Sequence, residues 1–306
     1  MCTAVSVMAG RHLFGRTLDV ERTYGEKVIV TPRNYGFSFL HEPPVAAHAA
    51  LLGAGVVQEG MPLYFDAMNE SGLCMAGLNF KSAVYHAPIK GKRNVTSFEL
   101  IPWVLTQCST LAEARALLGE VQITKESISP TLPATPLHWI VADKSGAIVV
   151  ESTETGSEIR ENTERVLAND PPFGEQAAQL AARAPSLGAN GVIQGITGEL
   201  SSPSRFVRAA FFSRCTEVEG PAGDGEIGGF FHVMETVSVP FGCVRRENGD
   251  NAYTAYTSCA DPSHGIYYFT TYGCRRIRAV RLVPDTRDAR ALGLFPMSQD
   301  EDVQWL

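Results

Sequence analysis

Long apolar runs are missing from this sequence. No stretch approaches the ~20 apolar residues that a membrane-crossing helix needs, so no membrane partner is expected. A charged start followed by a long apolar segment is missing too, and no secretion signal is read. Basic runs are absent, and 26 Lys and Arg against 33 Asp and Glu give a net charge of −7. That balance argues against a general nucleic-acid-binding role. The 7 cysteines (Cys2, Cys74, Cys108, Cys215, Cys243, Cys259 and Cys274) are scattered, with no Cys-x-x-Cys pair. Neither a zinc site nor a disulfide framework is supported, no metal or other cofactor is expected, and a reducing cytoplasm is the simplest compartment. Glycine-rich repeats and low-complexity tails are also lacking. What is present is a 306-residue chain that is 44% hydrophobic, enough to bury a large core as one domain or two.

The chemistry concentrates at the start, in Met1-Cys2-Thr3-Ala4-Val5. Removal of Met1 would turn Cys2 into an N-terminal residue with a thiol and a free α-amine. An ordinary thiol, with a pKa of about 8.5, is only slightly ionised at neutral pH, and an adjacent base activates it. An α-amine titrates near pH ~7.7–8.0, so a modest downward shift leaves it neutral and able to take the thiol proton. Thr3 to Met8 reads as a strand, Ala9-Gly10-Arg11 as a turn, and His12 to Asp19 as the returning strand. With the turn centred on Ala9-Gly10, Cys2 falls opposite Thr17 or Leu18, flanked by Arg16 and Asp19. Arg16 then stands ready to lower the thiol pKa, and Asp19 to hold or orient the amine.

From Cys2-Thr3 and Phe14-Gly15-Arg16-Thr17-Leu18-Asp19 onward, the chain resembles the choloylglycine hydrolase family, the bile salt hydrolases and penicillin V acylases. Further pieces match in order: Asn69-Glu70-Ser71-Gly72-Leu73, Ala76-Gly77-Leu78-Asn79-Phe80, Leu137-His138-Trp139, Val166 to Phe173, Ser204-Arg205-Phe206, Tyr256-Thr257-Ser258-Cys259 and Gly265-Ile266-Tyr267-Tyr268. The resemblance implies an N-terminal nucleophile hydrolase, and an α+β fold in which two antiparallel sheets are flanked by helices as an αββα sandwich. It also implies a homotetramer, and a site built from Cys2, Arg16, Asp19, Asn79, Asn169 and Arg205. The substrate it implies is a glycine- or taurine-conjugated bile salt, because Asn79 looks like the bile salt hydrolase side of the family. Penicillin V or a related N-acyl amide stays open as an alternative, and so does a bile-acid-binding module without catalysis. The loop from Gly188 to Gly198 departs from the family's pattern ahead of Ser204-Arg205, which leaves the conjugate preference open.

Along the rest of the chain, Val28-Ile29-Val30 reads as a strand, and the segment from Asn34 to Pro62 as strands joined by loops. Leu18, apolar residues after Asn34 and those around Ile128 are expected to line a pocket for a steroid body. Asn79 sits at the end of a Leu73-to-Phe80 strand. Ser97 to Gln107 has a helical apolar face interrupted by Pro102, and Ser109-Thr110 caps a second helix ending at Gly119. His138 to Glu151 forms a hairpin, in which His138 reads as a packed, hydrogen-bonded histidine. The Arg165-to-Ala168 strand delivers Asn169 to an Asp-Pro-Pro turn, a rigid placement that suits an oxyanion donor. Glu175 to Arg183 and Arg205 to Cys215 read as helices, the latter packing Phe206, Ala209, Ala210 and one of Phe211 and Phe212 inward. Arg205 lies in a first turn, where the helix dipole disfavours a cation, so it answers to something other than the helix. Gly228 to Val239 reads as another helix. Tyr253 to Leu282 reads as an antiparallel meander. Strands and helices interleave throughout, which favours one domain over residues 1–306 with helices outside two sheets.

Overall fold

The computed structural model describes residues 1–127, 134–189, 191–216 and 226–306. Strands β1 (Cys2–Ala9) and β2 (Arg11–Val20) form the opening hairpin, followed by β3 (Lys27–Thr31), β4 (Leu51–Gln58), β5 (Met61–Asn69) and β6 (Cys74–Asn79). The short strand β7 (Arg93–Thr96) leads into helices α1 (Leu100–Leu105) and α2 (Leu111–Leu118), and β8 (Val121–Thr124) returns to pair with β7 in parallel. Next come β9 (Leu137–Asp143), β10 (Gly146–Thr153), β11 (Gly156–Glu161) and β12 (Val166–Leu167), then helix α3 (Phe173–Arg183). A small ribbon of β13 (Ser186–Leu187) and β14 (Ile193–Gln194) precedes helices α4 (Ser202–Thr216) and α5 (Glu226–Glu235). The chain ends through β15 (Val244–Arg245), β16 (Asn251–Asp261), β17 (Ile266–Thr271), β18 (Arg278–Arg281), α6 (Pro284–Arg287) and β19 (Gly293–Pro296).

Two antiparallel sheets carry the fold. One runs β12-β1-β2-β16-β17-β18, with β15 paired to β16, and the other runs β11-β10-β9-β6-β5-β4-β3-β19. Strand alternation assigns the faces of the second sheet. Val28 and Val30 of β3 enter the core shared with the first sheet, while Ile29 between them enters a separate core with α1 and α2. The same split recurs in β10, where Val149 faces the first sheet and Ile148 and Val150 face the helices. The first core also takes Phe206 and Ala210 from α4 and Phe230 and Met234 from α5. The result is helices, sheet, sheet, helices, the αββα sandwich expected.

Several local expectations are corrected. Helix α1 starts at Leu100 rather than Ser97, which puts Pro102 in the first turn, where a missing N–H costs nothing. Thr110 does cap α2, accepting from the Glu113 amide, and Gly119 ends the helix. Between Asn34 and Pro62 one long strand forms, β4, with an isolated bridge between Phe37 and Val45. Phe37 and Phe39 pack into the core beneath α1 and α2, away from the inter-sheet core that holds Cys2. They therefore do not line a pocket at Cys2, and Ile128, expected in the same lining, lies outside the described residues. Phe211 and Phe212 are both half-buried, edge to face with each other, so neither packs fully inward. Helix α5 begins at Glu226, ahead of its glycines. The chain's last stretch docks through β19 on the edge of β3.

Candidate active site

The opening hairpin sets the first coordinates. Gly10 adopts φ +72°, a turn conformation that glycine reaches without a Cβ penalty. The register that follows pairs Ala9 with Arg11 and, at the far end, Cys2 with Leu18. Of the two partners open to Cys2, the structure thus selects Leu18, and Arg16 and Asp19 lie close by on β2. Cys2 itself is 4% exposed, at the start of the first sheet's core. The Met1 amine donates to the Asp19 carbonyl at 2.7 Å, and the Asp19 amide donates back to the Met1 carbonyl at 3.0 Å. Burial, ahead of any charge effect, holds that α-amine below its ordinary value.

Asn169 comes from the other edge of the same sheet. β12 pairs with β1 for only two residues, Ala4 with Leu167 and Val5 with Val166, and then peels off, so Asn169 arrives beside Cys2. The Cys2 amide donates to Asn169 Oδ1 at 2.5 Å. Asn169 Nδ2 donates to the main-chain carbonyl of Asn79 at 2.7 Å, which joins the end of β6 to the site. The Asn79 side chain is half-buried, and among the described residues it reaches the Pro136 carbonyl, at 3.4 Å.

Arg205 enters from α4 and is fully buried. Its Nη1 donates to the Cys2 carbonyl and to Thr3 Oγ1, each at 2.5 Å, and its Nη2 donates to Asn169 Oδ1 at 2.8 Å. Nε closes on the Leu200 carbonyl at 3.1 Å, and Asp19 Oδ2 stands 3.8 Å from Nη1. This answers the oddity of a cation in a helix's first turn: Arg205 serves the strands, not its own helix. Desolvation lowers its pKa, and the neighbouring Asp19 and Cys2 work against that fall. Asp19 in turn accepts from Thr254 Oγ1 at 2.7 Å and from Thr17 Oγ1 at 3.4 Å.

Arg16 bridges the two sheets. Its Nη1 donates to the carbonyls of Phe65, at 3.0 Å, and Gly77, at 2.6 Å. Those carbonyls are free because β5 bulges. Ala54 pairs with Asp66 but Gly55 with Tyr64, which leaves Phe65 unpaired, and the β5–β6 ladder stops at Asp66 and Ala76. The guanidinium takes the place of the missing ladder bonds. Burial pulls its pKa down, but Cys2, Tyr256, Asp66 and Asp19 nearby outweigh that and hold it above its usual value. A second bulge, at Ala255 of β16, puts Thr254 opposite Asp19 and Tyr256 opposite Leu18. Tyr256 then reaches Asp66 Oδ1 at 2.6 Å, and Ser258 and Tyr267 donate to Asp66 Oδ2 at 2.9 and 2.7 Å.

All six residues expected in a site are therefore placed around one point, where β1, β2, β6, β12 and α4 meet. Cys2, Asn169 and Arg205 touch directly. Asp19 lies at ion-pair distance from Arg205, and Arg16 is close enough to Cys2 to feel its charge. Asn79 joins mainly through its backbone. His138 is the packed histidine expected: it is buried, stacked on Phe80 with ring centroids 4.4 Å apart, and bonded to Glu151 and to the Ala168 carbonyl. Thr3, Thr254 and Asp66 belong to the same network, and sequence reasoning passed over them. Ser258, in the quoted Tyr256-to-Cys259 motif, was the available signal, since its Oγ links the Arg16 amide to Asp66. Among the described residues no group of His, Cys, Asp and Glu could hold a metal ion. Chemically, the arrangement offers a buried sulfur, a nearby amine, two guanidinium groups and an amide whose N–H faces away from Arg205.

Comparison with known proteins spans nearly the whole chain. The family model for linear amide C–N hydrolases of the choloylglycine hydrolase family matches residues 2–292. A bile salt hydrolase/transferase from Lactiplantibacillus plantarum is 37% identical over 318 residues, covering 98% of each protein. A conjugated bile acid hydrolase from Lactobacillus gasseri is 32% identical and covers 95% of this chain and 99% of that one. Among solved structures, a conjugated bile acid hydrolase from Clostridium perfringens aligns over 100% of both chains with a TM-score of 0.90 and 28% identity. Penicillin V acylase from Agrobacterium tumefaciens shares the fold, with a TM-score of 0.76 at 22% identity over 95% of this chain and 90% of that one.

Proposed function

The chain belongs to the choloylglycine hydrolase family of linear amide C–N hydrolases, and from that premise we propose that it cleaves glycine- or taurine-conjugated bile salts with Cys2 as nucleophile. Removal of Met1 frees the Cys2 amine at the place where its amide now donates to Asn169 Oδ1. The amine accepts the thiol proton as Sγ attacks the substrate carbonyl and the new C–S bond forms. Negative charge collects on the carbonyl oxygen, and Asn169 Nδ2 with Asn79 beside it donates to that oxygen. The amine then passes its proton to the leaving nitrogen, the C–N bond breaks, and glycine or taurine departs. Water, deprotonated by the same amine, attacks the thioester, and the bile acid leaves as the thiol is restored. Arg16 and Asp19 hold the charges of the thiol and the amine, and Arg205 fixes the Cys2 carbonyl relative to Asn169 and Asp19.

The observation that carries this reading is the single side chain, Asn169, that contacts both the Cys2 amide and Arg205 through one oxygen while its nitrogen points elsewhere. The test is release of free amino acid from glycocholate and taurocholate, with penicillin V as a third substrate. Processed wild-type protein turns over the bile conjugates, and Cys2→Ala does not. Full amidase activity in pure Cys2→Ala, or in a chain that keeps Met1, would refute the assignment of Cys2. Penicillin V cleaved faster than both conjugates would move the substrate to the acylase side. The reading extends to one domain working as a homotetramer in the cytoplasm, and sedimentation of the purified protein tests the assembly. Among the described residues, no helix is long and apolar enough to cross a membrane.

A further inference from the structure

β12 ends at Leu167, and beyond it the backbone stays buried but no longer pairs with β1. Ala168 is fully buried and Asn169 is 6% exposed, so their main-chain groups need partners from within the protein. Two side chains supply them. Gln176, fully buried on α3, accepts from the Ala168 amide through Oε1 at 3.1 Å. Its Nε2 donates to the Asn169 carbonyl at 2.5 Å and to the Pro171 carbonyl at 2.7 Å, so both of its N–H donors are used. His138 Nε2 bonds the Ala168 carbonyl at 2.7 Å from the opposite side. Its Nδ1 meets Glu151 Oε1 at 3.0 Å, and the same oxygen accepts from the Phe173 amide at 2.9 Å, where α3 begins. The Ala168 amide and carbonyl and the Asn169 and Pro171 carbonyls are thus each held by Gln176 or His138, and Glu151 ties His138 to the start of α3.

The geometry points to Gln176 and His138 as positioning residues. They stand in for the missing ladder bonds and hold the Ala168–Pro171 backbone so that the Asn169 amide keeps its place beside Cys2. This rests on Asn169 acting as the oxyanion donor. Neither side chain touches the substrate. Each works by denying the Asn169 main chain a small displacement, and a shift of about 1 Å at a catalytic group can cost about 10²-fold in rate.

The test uses the full chain with Met1 removed, carrying Gln176→Met, which fills the same space without donors. With glycocholate, kcat falls roughly 10- to 100-fold while KM stays within about twofold, as expected when a group acts only in the transition state. Alkylation of Cys2 by iodoacetamide needs no oxyanion donor and keeps its wild-type rate. Asn169→Ala also lowers kcat, and adding Gln176→Met to it costs little more, because the two act as one unit. Wild-type kcat in Gln176→Met overturns the inference. So does an alkylation rate that falls in step with kcat, which marks general damage, or a full additional loss in the double variant. If Asn169→Ala itself keeps its kcat, the oxyanion reading fails instead, whatever Gln176 does. Should Gln176→Met not fold, Gln176→Glu keeps the shape and leaves at most one donor, and His138→Gln probes the opposite side by the same readouts.

Discussion

Arg205 Nη2 and Asn169 Oδ1 meet at 2.8 Å, and that bond fixes which way the Asn169 amide faces. The oxygen already accepts from the Cys2 amide, so two donors hold it. The nitrogen is left to face the Asn79 carbonyl and the space beyond. A guanidinium thus orients the amide through its oxygen alone.

Arg205→Met removes the donors to the Cys2 carbonyl, Thr3, Asn169 and Leu200 together, and leaves the buried Asp19 carboxylate without its facing cation. We expect a loss of about 10²-fold or more in kcat with a lowered melting temperature, since unpairing a buried charge typically costs about 3–5 kcal/mol. Arg205→Lys keeps the charge but cannot span four acceptors in different directions, so it rescues little. Steady-state kinetics and thermal melts on both variants check this, and near-wild-type kcat in Arg205→Lys would count against the clamp.

The two asparagines make unequal contributions. Asn169→Ala removes the side chain that contacts Cys2, Arg205 and the Asn79 backbone, and the expected loss in kcat is about 10²–10³-fold. Asn79→Ala keeps the carbonyl that Asn169 uses and loses a side chain that, among the described residues, makes one long contact, to Pro136. Its loss should be smaller, about 10-fold or less, appearing in kcat if the side chain assists the oxyanion and in KM if it serves substrate choice. Equal losses from both substitutions would show that the Asn79 side chain is a full partner.

How much of this was legible from residues alone follows the range of the interactions. The hairpin register that sets Cys2 against Leu18 is local: a turn at Gly10 and strict alternation leave few choices. Helix α2 was legible for the same reason, through Thr110 and Gly119. Arg205 was singled out by a local conflict with its helix dipole, yet its four partners come from β1, the turn after β12 and the loop before α4, and no spacing rule connects them. Gln176 gave no signal at all. It sits within an ordinary helical stretch, and its task exists only because β12 is two residues long in three dimensions. The β5 bulge at Phe65, which creates Arg16's acceptors, likewise has no mark in the sequence. The parallel pairing of β7 with β8 across two helices is another long-range event of this kind.

Gly15 stands one residue before Arg16, on the strand shared with β16. A Cβ at this position would come within 2.0 Å of the Ser258 carbonyl oxygen, a backbone atom that cannot swing away. Gly15→Ala must therefore spread β2 from β16, at a cost of roughly 1–3 kcal/mol or more from overpacking. The expected readouts are a melting temperature lower by several degrees and a fall in kcat, because Ser258 also bonds the Arg16 amide. A variant with unchanged melting and unchanged activity would mean that the two strands tolerate separation at the site.

His12 ties stability to pH at the far end of the same hairpin. It is buried, with Nε2 2.9 Å from Ser6 Oγ, and burial first, then the nearby Arg165, lowers its pKa from 6.5 to about 4. In the unfolded chain the ring takes up a proton near its ordinary value, whereas in the folded chain it stays neutral until about pH 4. Between those values the unfolded state binds more protons, so stability rises with pH. The contribution is complete above pH 6.5 and is lost as pH falls toward 4. The size of the shift corresponds to about 3 kcal/mol at most. Chemical denaturation at a series of pH values from 7 to 4 reads this slope directly. His12→Gln, which keeps a polar partner for Ser6 but does not titrate in this range, should show a shallower dependence than wild type over the same interval. Parallel slopes in the two proteins would mean that other groups govern acid stability and that the hairpin gains nothing from a neutral His12.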